Sequence, residues 1–463
     1  MPRLLPAPLR DPLQRWPLLG WLGVGLAVRL LVMPFAFHGD LLAVYWRAHL
    51  IAYEGQLFAG YLVNMGAHYV HAASLRLLDP LLPAPEAVWT QPWWWDDMAG
   101  LMPQVTRDFA SSPDVFSTLF ALKLPYLAFD LGAGLLLLAL VSTARPDAIR
   151  RAWAFWMLSP IGIYATYLFA RYEVMPVALV LAAILACERK RPWSGAVLLG
   201  LAVTMRTYPL LLIPVFALVV VRGGARQSAW AGLALVPFGL TMLSNRILGG
   251  DVGELARLRE IPAGDAFLAV TVPVAGTGDI PVLLVALLAV YGLLLGRAMG
   301  WWGGAPVPVA QLWVWLLLVH AAIFAFSAVS AHYFMWFTPF VALALARRPA
   351  WRGVLPLHLL QVLVVLAVTD LVNGPQTLLG LFQPLAPGAV ANLPSLREVL
   401  LGSPELTAQM IGALRTGFVV LTALLVAPAV AELAGRAPQP PPPEPHGSSE
   451  QRQPRQREQR VAP

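Results

Sequence analysis

A bilayer's hydrocarbon core is about 30 Å thick and takes about 20 apolar residues of helix to cross. Stretches of that kind recur along this chain from residue 16 to residue 434. Hydrophobic residues make up 58% of the 463 and charged residues 12%. A soluble domain holds about 45–50% and about 25%. One soluble core has no room for so much apolar surface, so a soluble enzyme, a disordered chain, a fibrous protein and a disulfide scaffold all drop out. The class that remains is an all-α polytopic integral membrane protein. The lone Cys187 excludes structural disulfides within the chain and a cysteine metal cluster. The net charge of +7 would suit nucleic acid. The basic residues sit at the ends of apolar spans, however, so no nucleic-acid partner is expected.

The spans are read near residues 16–37, 117–142, 152–170, 174–187, 193–205, 208–221, 229–245, 281–299, 309–328, 333–346, 354–372 and 416–434, which makes about twelve transmembrane helices. Several are short, and short or broken segments are tolerated where they line a cavity. The first span follows Arg3, Arg10 and Arg15 as a signal peptide would. It is longer than the usual 7–15 residues of such a segment, roughly, and reads as a retained anchor. With the N-terminus in the cytoplasm, every inside loop is basic: Arg145, Arg150 and Arg151; Arg189, Lys190 and Arg191; Arg222 and Arg226; Arg297; Arg347, Arg348 and Arg352. That is the positive-inside pattern. The expected location is the plasma membrane, with both termini cytoplasmic.

Three outside loops are long, roughly 38–116, 246–280 and 373–415. A chain that works outside would gather its polar chemistry there. In the first loop, residues 41–57 and 61–82 have helical apolar spacing and read as amphipathic helices lying at the membrane surface. Trp89, Trp93, Trp94 and Trp95 follow as an aromatic cluster suited to headgroup level. Residues 1–436 read as one transmembrane domain. Residues 437–463, rich in Pro, Gln, Arg and Glu, read as a disordered cytoplasmic tail.

A few polar residues need a reason. Asp40, in His38-Gly39-Asp40, lies just past the first span, where a carboxylate can act as a general base. It is equally suited to cap the helix that follows. Glu173 is a supporting acid in the outer turn Arg171-Tyr172-Glu173, or half of a solvated Arg–Glu pair. Arg206 stands alone between two apolar stretches on the outer side. Such a cation is costly near lipid, and its fork fits phosphate oxygens; snorkelling to headgroups is the other reading. Lys123 and His332, at outer span ends, are further phosphate candidates. Arg29 and Asp130 lie within spans and are expected to neutralise each other. Asp96 and Asp97 are the candidate metal ligands, for a divalent cation such as Mg or Mn; a solvated helix end is the plainer reading. Motifs of hydrolase triads, P-loops and zinc proteases are missing from the sequence.

Three blocks carry a family resemblance. VRLLVMPFAFHGDLLAVYWRAHLIAYEG resembles the opening of the multi-spanning GT-C glycosyltransferases, among them bacterial polyprenol-phosphate-mannose-dependent transferases and PIG-M-like mannosyltransferases. The matching positions are Arg29, Asp40, Tyr45, Ala48 and Gly55. YLFARYEVMPVALVLAAILACERKRPWSGAVLLGLAVTMRTYPLLLIP resembles the family's outer-turn acid, apolar helix, basic inner turn and following cation, and SAVSAHYFMWFTPFVALA a late helix start. Here Glu173 stands where the family's outer turn carries Asp, and Arg206 where it carries Lys.

The resemblance implies a mannosyltransferase that moves sugar from a polyprenyl-phosphate donor to a glycan, lipid or protein acceptor on the extracytoplasmic face, with inversion. Asp40 would be the base, and Arg206, with Lys123 or His332, would hold the leaving phosphate. The alternative is a twelve-helix transporter or lipid-linked saccharide flippase. That reading asks for charges spread along central helices and for a repeat at mid-chain, and neither is evident.

Overall fold

The structure is a computed structural model that describes residues 6–58, 64–82, 106–248, 268, 270–274, 278–301, 307–327, 330–348, 351, 353–390, 394 and 397–434. The Trp89–Trp95 cluster, Asp96, Asp97 and the 437–463 tail lie outside them. By its internal contacts the chain separates into residues 1–426 and 427–463. Of the second unit, the described residues are 427–434.

Among the described residues the apolar stretches read from the sequence are largely helical, and six helices are long and apolar enough to cross a membrane. The protein is thus a multi-pass helical membrane protein. Helix α1 (Pro12–Val32) starts at Asp11, whose Oδ1 accepts from the Leu13 N–H at 3.0 Å, with Pro12 in the first position. That pairing suits a helix start. α2 (Asp40–Tyr53) and α3 (Met65–Leu78) follow, then the long α4 (Val115–Leu140) and α5 (Pro146–Leu158).

The stretch 152–170 is broken rather than one continuous span. Pro160 has no N–H to donate and drives Ser159 out of the helical region (ψ 115°). Ser159 then caps the next turn through Gly162 N–H at 3.2 Å. Tyr164–Leu168 is wound as a π-turn, a form that recurs at functional sites.

Next come α6 (Val174–Glu188) and α7 (Pro192–Met205), a 3₁₀ turn Tyr208–Leu212 leading into α8 (Ile213–Val220), and α9 (Gly224–Leu248). A short antiparallel hairpin interrupts the helices. Strand β1 (Thr271–Val274) pairs with β2 (Gly278–Pro281), so the all-α expectation needs this small addition. α10 (Val282–Ala298), α11 (Leu312–Phe326), α12 (Thr338–Arg347, entered through the 3₁₀ turn Ala331–Trp336), α13 (Val354–Asn373) and α14 (Pro404–Leu433) complete the series.

α2 and α3 are packed against the bundle, and several of their polar residues point inward and find partners there. Tyr45 donates to Leu122 O at 2.5 Å, Arg47 meets His68 at 3.2 Å, and His71 meets the Tyr126 hydroxyl at 2.9 Å. Gly66 lets α3 press against α7, since a Cβ there would fall 2.3 Å from Thr204 Oγ1.

The charges of the first two spans pair as the sequence suggested. Arg29 Nε lies 2.7 Å from Asp130 Oδ2, and both side chains are 3% exposed or less. The guanidinium also donates to Gly25 O (3.0 Å) and Met157 O (2.5 Å), and Tyr167 donates its hydroxyl to Asp130 at 2.7 Å. One ion pair therefore knits α1, α4, α5 and the π-turn. Asp130→Ala would leave the buried guanidinium without its counter-charge, a loss of about 3–5 kcal/mol where such pairs have been broken. The expected result is a sharply lower melting temperature in detergent. Replacing Arg29 and Asp130 together by Leu should recover much of the loss.

Candidate functional site

The residues just past α1 are pinned by backbone bonds. Phe37 N–H donates to Leu381 O at 2.9 Å and His38 N–H to Phe169 O at 3.2 Å. Lys123 fixes the same region from below. Its ammonium, wholly buried, donates to Met33 O at 2.6 Å, to Tyr167 O at 2.9 Å and to Ala36 O. All three protons are taken by carbonyls that broken helix ends leave free. Lys123 thus ties the end of α1 to the π-turn, and this placement corrects its reading as a phosphate-holding group.

Asp40 is the first residue of α2, one past the N-cap Gly39, and no side-chain cap bond forms. Its carboxylate turns to other partners. Oδ2 lies 3.2 Å from Arg171 Nη1, and Oδ1 lies 3.6 Å from His38 Nδ1. The side chain keeps 30% exposure. Burial works to raise its pKa, but Arg171 and then His38 more than offset this, and the carboxyl sits well below the usual range. Asp40 is therefore ionised at neutral pH and reachable.

The turn Phe169–Glu173 supplies the other half. Ala170 has φ +63°, a region that L-residues seldom enter. This reverses the chain between the π-turn and α6. The Phe169 ring is sandwiched between His38 (centroids 4.1 Å apart) and His332 (4.3 Å). Three separate segments meet in that stack. His332 is 4% exposed; burial, and then Arg171, hold its imidazole well below its ordinary pKa. It stands in the site as a neutral ring.

The pairing of the turn's charges differs from the local Arg171–Glu173 pair that the sequence allowed. Arg171 pairs with Asp40, and Glu173 pairs with Arg206, whose Nε is 3.3 Å from Glu173 Oε1. Glu173 is fully buried and accepts from Trp336 Nε1 at 2.6 Å. It is a holder of Arg206 and Trp336 rather than a group open to solvent. Arg206 Nη1 donates to the Tyr172 hydroxyl at 3.0 Å, and the guanidinium lies 4.8 Å from the Tyr333 ring centre. Among the described residues neither Arg171 Nη2 nor Arg206 Nη2 has a bonding partner.

The structure thus gathers Asp40, Glu173, Arg206 and His332 at one end of the bundle. Sequence reasoning gave no catalytic or binding role to Arg171, His38, Phe169, Tyr172 or Trp336. Arg171 carried one signal, as a second arginine in a short outer turn. Among the described residues no three His, Cys, Asp or Glu come together as metal ligands.

Chemically, the site offers an ionised carboxylate beside two guanidinium groups with N–H bonds to spare. That combination suits proton removal from a hydroxyl next to a bound phosphate.

Comparisons with known proteins point the same way. Residues 115–258 match glycosyltransferase family 87. That stretch includes Arg171, Glu173 and Arg206. The chain is also 28% identical, over 251 residues, to a polyprenol-phosphate-mannose-dependent alpha-(1-2)-phosphatidylinositol mannoside mannosyltransferase of Mycolicibacterium smegmatis. The match takes in 44% of this chain and 54% of that protein, so the chain spans about half the length of this curated relative. No solved structure matches. The resemblance read from the three sequence blocks is supported by both matches.

The turn geometry is open to test. Forcing an L-residue into the left-handed region costs about 1–2 kcal/mol. Ala170→Gly should hold or raise the melting temperature in detergent, and the β-branched Ala170→Val should lower it.

Proposed function

We propose that this protein is a membrane glycosyltransferase that moves a sugar, mannose in our reading, from a polyprenyl-phosphate donor to an acceptor hydroxyl. The observation that carries this is the pairing of ionised Asp40 with Arg171, next to Arg206, at one end of a membrane-embedded bundle. The family match and the named donor of the mycobacterial relative support the choice of reaction. That relative acts on a phosphatidylinositol mannoside, and a lipid-borne glycan is the acceptor class we favour here.

Asp40 takes the proton of the acceptor hydroxyl as its oxygen attacks the anomeric carbon. The bond from that carbon to the phosphate oxygen breaks on the opposite face, so configuration inverts. The leaving group is the lipid phosphate. Its developing charge meets the N–H bonds of Arg206 and Arg171, preorganised in a site that excludes most water. His332, neutral, is placed to donate to the same phosphate. The reaction lies on the extracytoplasmic face, with both termini in the cytoplasm, as the distribution of arginines suggests.

Three measurements test this with labelled polyprenyl-phosphate mannose and the full-length protein. Asp40→Asn should lower turnover about 10²–10⁴-fold, the worth of a positioned base, while insertion is unchanged; normal turnover refutes the role. Arg206→Ala should raise the donor KM about tenfold or more, the worth of hydrogen bonds to a charged group, and Arg206→Lys should raise it less. Equal KM in both variants rejects the phosphate role.

The third measurement is a pH profile. Arg171→Gln removes the strongest influence lowering the Asp40 pKa, while burial still acts to raise it. A base must be deprotonated to work, so the acid limb of kcat/KM should move to higher pH. An unmoved limb argues that Arg171 does not set the ionisation of Asp40.

A further inference from the structure

The opposite end of the bundle holds a second cluster of charge. An open cavity of about 850 Å³ lies there. Four arginines from three separate helix ends line it: Arg145 after α4, Arg189 after α6, and Arg347 and Arg348 at the end of α12. The acid among its lining residues is Glu188. Glu188 is already held by Arg347 through a two-pronged pair at 2.7 and 2.9 Å. Arg347 also donates to Leu140 O at 2.7 Å, so the pair is fixed to the end of α4. Arg145 and Arg189 are exposed. Thr143 and the turn that begins α11 line the same space, and a helix start adds the positive end of its dipole.

The depth of this cavity follows from α6. The 15 residues from Val174 to Glu188 span about 22 Å at 1.5 Å per residue. Glu173 caps the start of α6 and Glu188 ends it. The cavity is therefore separated from the Asp40 site by most of a hydrocarbon core of about 30 Å. In a bilayer crossed by α6 that spacing sets the cavity near the headgroups of the leaflet opposite Asp40, and its walls carry a surplus of guanidinium charge.

We infer that this cavity is a binding site for the anionic phosphodiester headgroup of a lipid in the leaflet opposite Asp40. Guanidinium forks match phosphate oxygens two at a time. Here Arg145 and Arg189 offer that geometry, and Arg347 is held in place by Glu188. The site is independent of the sugar-transfer reading, because none of its residues belongs to the Asp40 cluster.

The test uses full-length protein, purified in detergent and stripped of lipid. It is titrated with short-chain phosphatidylglycerol, with phosphatidylcholine of the same chain length, and with inorganic phosphate, and bound lipid is read by native mass spectrometry. The wild type should prefer phosphatidylglycerol. Arg145→Gln with Arg189→Gln should weaken that binding about tenfold or more, as expected for two basic groups near a charged headgroup. Arg189→Gln alone, at an exposed helix end, should give part of the loss. Arg397→Gln, at the other end of the bundle, should give none. Displacement of phosphatidylglycerol by inorganic phosphate, lost in the double variant, supports the site with phosphate itself as the recognised group. No displacement supports recognition of the whole lipid headgroup. Equal affinity for the two lipids in the wild type, or equal affinity for phosphatidylglycerol in wild type and double variant, overturns the proposal.

Discussion

The site is held together by two crossed ion pairs that leave a single turn in different directions. Arg171 and Glu173 are two residues apart and could have neutralised each other. Arg171 instead reaches Asp40, and Glu173 reaches Arg206. A local pair would fasten the turn to nothing. The crossed pairs fasten it to the start of α2 and to the end of α7, and the Phe169 ring between His38 and His332 adds the entry to α12. A buried charge without a partner is costly. Each of these groups therefore keeps its partner in place, and the geometry of the carboxylate beside the guanidinium groups follows.

Much of this was legible from the sequence because charge is scarce in it. In a chain with 12% charged residues, each ion near an apolar span needs a physical reason. That logic singled out Asp40, Glu173, Arg206 and His332, and paired Arg29 with Asp130. It could not choose partners. Ion pairing depends on where a backbone reverses, and the reversal here comes from a π-turn and a left-handed Ala170 that no periodicity announces. Lys123 was misread for a related reason. Its acceptors are carbonyls at Met33, Ala36 and Tyr167, freed where helices end or change pitch. A sequence lists side chains and is silent about free carbonyls. The inward contacts of α2 and α3 were hidden by symmetry. An amphipathic pattern looks the same whether its polar face meets water or a polar interior, and here Tyr45, Arg47 and His71 find their partners inside.

α6 links the two ends of the molecule. At one end Glu173 accepts from Trp336, just before α12, and at the other Glu188 holds Arg347, the last residue of α12. The same two elements are therefore clasped at both ends by a carboxylate from α6. A sliding or tilting of one against the other would break a buried bond at the Glu173 end and a part-buried ion pair at the Glu188 end. This makes the pair a rigid strut under the site, and it explains why so apolar a helix is bounded by two glutamates.

The choice of arginine at position 206 follows from the same electrostatics. With Asp40 paired to Arg171 and Glu173 to Arg206, the formal charges of the four groups cancel. In the proposed reaction an entering phosphate would gain less from net charge than from the N–H bonds these groups still offer. A lysine paired with Glu173 would have its one compact charge directed toward that carboxylate. A guanidinium can meet Glu173 through Nε and Tyr172 through Nη1 and still present Nη2. The rings of Tyr172 and Tyr333 lie beside it, with centres 5.5 and 4.8 Å from the guanidinium carbon. A planar cation held by a buried acid on one edge and flanked by rings is a donor array suited to the lipid phosphate of the proposed reaction.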